Sequence, residues 1–311
     1  MHLQLNQNKP KILISKCLEF DSCRYDGQII HNKFIQKLKN HVDFITICPE
    51  VEIGLGTPRD PINLIHEKNK KILYQSSTNK DLTNEMMNFT NNYLKKIKKI
   101  DGIILKSKSP SCGIKTTKIF SNKKLNKSIK NGSGLFSYYL IKKFPNIPII
   151  EDMELNEISL RNQFYSSIFI LCDFRNIITI KQLYDFHEKH KLQMMSRNQL
   201  DLKKMGKVAA NHENKTLKQT LNDYFDLLLK ILKKKPTNGS HVNTQMHAFG
   251  YYKNHLSKKD KLEFLNLLDN YKKNNEPITN ILNVFNNWNM KFENEYLLNQ
   301  SYFMPYPKEL I

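Results

Sequence analysis

The chain has 311 residues, long for a single domain, and a 40% apolar share that is enough for packed cores, so two domains are expected. No apolar run reaches the roughly 18 residues of a membrane span, and the start (residues 1–6) lacks the basic and apolar regions of a secretory leader, so a cytosolic location is expected. The net charge of +20 invites a polyanion partner. The excess is mostly lysine, accompanied by abundant asparagine and isoleucine and spread along the whole chain, as A/T-rich codons alone would produce, so a nucleic-acid partner is the second reading rather than the first.

In chain order, an apolar run at 11–15 predicts a buried strand, followed by a loop at 19–27 and a helix near 33–39. A strand at 44–47 runs into Cys48. A Gly/Pro-rich loop at 54–61 precedes extended segments near 62–65 and 71–74. Leu82, Met86, Phe89, Tyr93, Ile97 and Ile100 recur every three or four residues, a helical spacing. A strand at 102–105, a helix near 135–143, a strand at 147–150 and a helix at 155–171 complete the first half. The alternation predicts a doubly wound α/β domain with a mostly parallel sheet. From about 180 onward strand alternation disappears. Helical periodicity recurs at 183–195, 217–232, 258–271 and 278–288, with breakers at 233–239. The expected organisation is an α/β domain over 9–173 and an all-α domain over 178–311.

Three of the five cysteines follow β-branched apolar runs. Ile12-Leu13-Ile14 precedes Cys17, Phe44-Ile45-Thr46-Ile47 precedes Cys48, and Ile103-Ile104-Leu105 leads to Cys112. Ligands in an open α/β sheet sit beyond the carboxyl ends of the strands, so the three thiols are expected at one rim. Pro and Gly beside Cys48 and Cys112 suit exposed turns with free amides. Convergent thiolates suit iron–sulfur chemistry or zinc. The close C-x-x-C pairs usual in structural zinc sites are absent, which favours a 4Fe-4S cluster, with zinc as the alternative. Cys23 reads either as a fourth ligand or as a neighbour, and Cys172, in an apolar helix, as a structural thiol. Near the thiols, Glu50 is placed to act as general acid/base, and Ser109 and Ser111 to hold a substrate heteroatom. Arg24, Asp26 and Arg59 are candidates for orienting a polar substrate. His187 and His190 flank Glu188, but the spacing is not that of a zinc protease helix. A structural or ligand-contacting role is expected there.

The motifs Ile14-Ser15-Lys16-Cys17-Leu18, Arg24-Tyr25-Asp26-Gly27, the run from Cys48-Pro49-Glu50 to Pro58-Arg59, and Ser109-Pro110-Ser111-Cys112-Gly113 resemble the family of unknown function 523, which includes the thiouracil desulfidases. Phe186-His187, Met205-Gly206-Lys207, Met246-His247, Gly250-Tyr251-Tyr252-Lys253 and the run from Gln300 to Leu310 resemble the YbgA-like family, domain of unknown function 1722. The first resemblance implies a cluster held by Cys17, Cys48 and Cys112, an open iron that takes a thiocarbonyl sulfur, Glu50 as the acid/base, and a catalytic serine within 109–111. The second implies, by association alone, a link to DNA repair or modified bases. Glu19-Phe20 departs from the Leu-Gly usual after the first Cys-Leu, and Met195-Ser196-Arg197 from the usual Met-Ala-His. Two functions are therefore expected to compete: a desulfidase acting on a small thiolated substrate, and a metal-stabilised binding protein.

Overall fold

The computed structural model describes residues 9–67, 70–211 and 213–311, so the N-terminal stretch 1–6 lies outside the described residues. The chain divides into two compact units, Met1–Cys172 with Glu309–Ile311, and Asp173–Lys308.

Among its described residues the first unit carries nine strands: β1 (Lys11–Ser15), β2 (Asp43–Ile47), β3 (Ile62–Glu67), β4 (Lys70–Gln75), β5 (Lys80–Asp81), β6 (Gly102–Leu105), β7 (Thr117–Phe120), β8 (Ser128–Gly132) and β9 (Ile149–Glu151). Four form a sheet in the order β2-β1-β6-β9. All its pairings are parallel; Leu13, for example, stands opposite Ile45 on β2 and Ile103 on β6. The doubly wound expectation holds for this sheet. The extended segments near 62–65 and 71–74 belong to a second sheet, β5-β4-β3-β7-β8, in which only the β3–β7 pairing is parallel.

Helices α1 (Lys33–Leu38), α2 (Pro49–Glu52), α3 (Thr83–Lys96), α4 (Leu135–Lys143) and α5 (Ile158–Arg175) connect and cover the strands. Successive side chains of a strand point to opposite faces. Leu13, Ile103 and Leu105 accordingly join one core with Leu64, Leu73 and Ile119 of the second sheet and Met86 and Phe136 of the helices. Ile12, Ile14 and Ile104, equally buried, occupy alternate positions. Helix α5 packs tightly against Gly102: a Cβ there would lie 2.6 Å from Ile168 and 3.1 Å from Phe164.

The second unit is helical, with α6 (Ile180–Lys189), α7 (Lys191–Arg197), α8 (Gln199–Ala210), α9 (Leu217–Leu232), α10 (Asn238–Gly250), α11 (Lys258–Lys272), α12 (Ile278–Phe292) and α13 (Glu295–Leu298). The single helix expected over 183–195 is broken at His190, which ends α6 and caps α7. Helix α10 starts inside the segment read as breakers, because Thr237 and Ser240 form a capping box there. An aromatic cluster of Phe249, Tyr252, Phe264, Phe285 and Trp288 fills this unit's core. No described helix is long and apolar enough to cross a membrane.

Candidate functional site

The parallel sheet presents its strand ends to a cleft of about 540 Å³. Cys17 lies just past β1, Cys48 just past β2, and Cys112 follows β6 after a six-residue loop. All three thiols line the cleft, with Cys23, Glu50, Arg59, Lys106 and Ser109. Asn63, Lys118, Phe120 and Asn131 of the second sheet complete its wall.

Burial pushes the Cys17 thiol up to about 12, with Cys48 adding to the rise and Lys106 opposing it. Cys112 is likewise raised by burial, against a lowering contribution from the Ser15 hydroxyl. Cys48 goes the other way: the adjoining Cys23 thiol and the Val51 amide lower it. The charge of the Cys17 and Cys112 thiols is thus disfavoured by burial and by neighbouring negative groups, Cys48 and Glu50 among them, and a bound metal group would supply the compensating positive charge. Cys23 is buried and sits against Cys48, whose sulfur is 3.7 Å from the Cys23 carbonyl oxygen. Among the described residues no three His, Cys, Asp or Glu side chains gather closely enough to hold a single metal ion.

Glu50 is largely buried on α2, and its Oε2 accepts from Arg59 Nε at 3.0 Å and Nη2 at 2.7 Å. Arg59 Nη1 donates to the carbonyls of Cys23 (3.0 Å) and Gly56 (2.9 Å). The guanidinium therefore spends its donors on positioning Glu50 and the Cys23 loop. Oε1 of Glu50 stays on the cleft side, 3.5 Å from Ser109 Oγ.

The two candidate serines differ. Ser109 lines the cleft, and its oxygen accepts from the amides of Ser111 (3.2 Å) and Cys112 (3.0 Å). With its lone pairs so engaged, its O–H is left to donate toward Glu50 or a substrate. Ser111 is fully buried, and its hydroxyl has no partner among the described residues. Its backbone is packed so closely that a Cβ on Gly134 would lie 2.5 Å from the Ser111 carbonyl oxygen. Arg24 and Asp26 pair with each other at 2.6 Å, and only Arg24 of the two lines the cleft.

Sequence reasoning missed the acidic pair at the end of β9. Asp152 Oδ1 accepts from the Ser107 amide at 2.7 Å, and its Oδ2 from Lys106 Nζ at 3.0 Å. Glu151, fully buried, accepts from the amides of Ile114 (2.7 Å) and Lys115 (3.2 Å) and from the Thr116 hydroxyl (2.7 Å). The two carboxylates hold the loop on both sides of Cys112. Two acids directly after an apolar run at the same sheet rim were the available signal. The unusual Glu19 takes a left-handed φ of 71°. Its carboxylate is held by Gln36 at 3.1 Å and by the Asn32 amide, away from the cleft.

A cysteine-lined α/β domain and a separate helical domain define the class. The 2-thiouracil desulfurase family model matches residues 12–152, and the model of a family of unknown function, DUF1722, matches residues 191–307. The uncharacterized protein YbbK of Bacillus subtilis (strain 168) is 32% identical over 156 residues, 47% of this chain and 99% of the relative. The uncharacterized protein YbgA of Escherichia coli (strain K12) is 24% identical over 132 residues, 42% of this chain and 78% of the relative. A solved 4Fe-4S-dependent thiouracil desulfidase, TudS, is 26% identical, covering 50% of this chain and 98% of its own, with a TM-score of 0.38. The chain belongs to the 2-thiouracil desulfurase family through its first half and carries a DUF1722 domain in its second.

Proposed function

We propose that this protein is a non-redox desulfidase that replaces the sulfur of a thiolated pyrimidine with oxygen from water, releasing sulfide. The observation that carries the reading is the placement of Cys17, Cys48 and Cys112 on one cleft with Glu50 and Ser109. Cys17, Cys48 and Cys112 would hold a 4Fe-4S cluster. With three protein ligands, such a cluster supplies an open iron, a soft Lewis acid suited to a substrate sulfur.

The remaining chemistry falls to the chain. Arg59 fixes one oxygen of Glu50 and leaves the other toward the cleft. That oxygen takes a proton from the attacking water. Ser109, its oxygen anchored by two amides, donates its O–H to the substrate heteroatom beside the thiocarbonyl. We assign the serine role to Ser109 and not to Ser111, which does not line the cleft. In this reading Cys23, whose thiol adjoins Cys48, is a neighbour of the three ligands and not a fourth one. Lys106 offsets the negative charge collected at this rim. Arg24 lines the cleft, where it would meet the polar edge of a substrate.

The test is turnover. Protein reconstituted with iron and sulfide under anaerobic conditions should convert 2-thiouracil or 4-thiouracil to uracil with one sulfide released per base. Loaded protein that turns over no thiocarbonyl compound would leave the binding-protein reading in its place.

A further inference from the structure

The helical unit has a cleft of its own, about 510 Å³, lined by Tyr184, His187, Glu188, Lys191, Gly206 and Tyr296, with Ala209 and Ala210. His187 is the one imidazole among the described residues of its lining. The His187 Nδ1 lies 2.9 Å from the hydroxyl of Tyr224, a fully buried residue. Burial pushes the Tyr224 phenol up, so it keeps its proton. A buried O–H requires an acceptor, and Nδ1 is the one within reach. The imidazole therefore accepts at Nδ1 and carries its own proton on Nε2. Burial, reinforced by the charge of Lys191, lowers His187 to about 4, so the ring is neutral near pH 7.

The Nε2 edge faces Gly206, in the interior of α8. A Cβ at that position would lie 3.5 Å from Nε2 and 3.8 Å from Cε1. Glycine inside a helix is destabilising relative to alanine, and here it leaves open the space an acceptor atom would occupy on Nε2. Tyr184, one turn before His187, is 46% exposed. Tyr296 stacks on Tyr251 with ring centroids 4.8 Å apart, so its position is set. Glu188 places a carboxylate on the same rim, which opposes a simple anion and suits a neutral ligand that can donate.

We propose that this cleft binds a planar lactam heterocycle of the pyrimidine-base kind. Its ring carbonyl accepts from the Nε2–H of His187, its ring N–H donates to Glu188, and its faces meet Tyr184 and Tyr296. Lys191, at the rim, is a second donor for the carbonyl side. The site lies wholly within the helical unit and does not depend on the desulfidase reading.

The test follows the imidazole Cε1–H signal of His187 in the full-length protein by NMR, with uracil, 1,3-dimethyluracil and inorganic phosphate as probes. Uracil should shift the signal saturably. Dimethyluracil, lacking the ring N–H, should bind at least about tenfold more weakly, the cost of one hydrogen bond at a built site. Gly206→Ala should raise the melting temperature while abolishing the uracil response, because its methyl covers Nε2. Glu188→Ala, on an exposed position, gives the same loss without touching the helix core. No response to uracil, an equal response to phosphate, or wild-type binding by both variants would overturn the proposal.

Discussion

Replacing Glu50 with glutamine separates the chemistry of the site from its architecture. The side chain keeps its size and its oxygen, so Arg59 retains one acceptor for the two donors that now reach Oε2 at 3.0 and 2.7 Å. What goes is the negative charge facing a guanidinium whose side chain is only 5% exposed. Leaving a buried charged group without its counter-charge costs about 1–3 kcal/mol through the weakened hydrogen bonds, so a modest drop in the denaturant midpoint is expected. The catalytic effect should be larger. An amide cannot take a proton from water near neutral pH, and general acid–base catalysis contributes about 10²–10⁴-fold to rate. Glu50→Gln should therefore keep its iron, lose about 1–3 kcal/mol of stability, and lose two to four orders of magnitude in desulfuration, read as sulfide released from a thiolated pyrimidine. Wild-type rate in a variant with full iron content would refute the role given to Glu50. Loss of iron together with rate would show that Glu50 acts by holding the cysteine loops.

Cys17→Ser, Cys48→Ser and Cys112→Ser should each abolish iron binding while Cys172→Ser retains it, read by iron assay after reconstitution; equal loss from all four would point to misfolding. Glu151→Gln should lower stability by about 1.5–3 kcal/mol, the worth of hydrogen bonds to a charged group, and should loosen the Cys112 loop, seen as faster amide exchange at residues 114–116; unchanged exchange would remove Glu151 from its positioning role. Burial lowers His187 and His241 to about 4, and burial also lowers His190 despite its contact with Asp173. Unfolded histidine titrates near 6.5, at about 6–7 in practice, so the unfolded chain takes up protons that the folded helical unit refuses. This stability is complete above that range and is lost as pH falls toward 4, by up to about 1.4 kcal/mol per pH unit for each of His187 and His241, with His190 adding in the same direction; a denaturant midpoint flat between pH 7 and 4.5 would contradict it.

The strands of the parallel sheet were legible because burial on both faces demands continuous apolar, β-branched runs, and such runs stop where the cysteine loops begin. The second sheet was only half legible. Strands β7 and β8 read Thr-Lys-Ile-Phe and Ser-Ile-Lys-Asn-Gly, and the second of these is almost entirely exposed, so no apolar periodicity marks it. The break at His190 was hidden because Leu183, Phe186, Leu192 and Met194 all stay buried across it. At the site, residue types pointed to Cys17, Cys48, Cys112 and Glu50 as a group, but only three-dimensional contacts separate Ser109 from Ser111. The partners of Arg59 were equally hidden: an arginine in a Pro-rich loop reads as a substrate contact until Glu50 and the two carbonyls appear around it.

The most direct test of the central claim is metal and sulfide analysis of protein purified without oxygen, paired with a thiouracil assay on the same sample. The account predicts about four irons and a matching amount of acid-labile sulfide per chain, the content of a single four-iron cluster, together with release of sulfide from the thiolated base. Stoichiometric zinc, no labile sulfide and no turnover would contradict it.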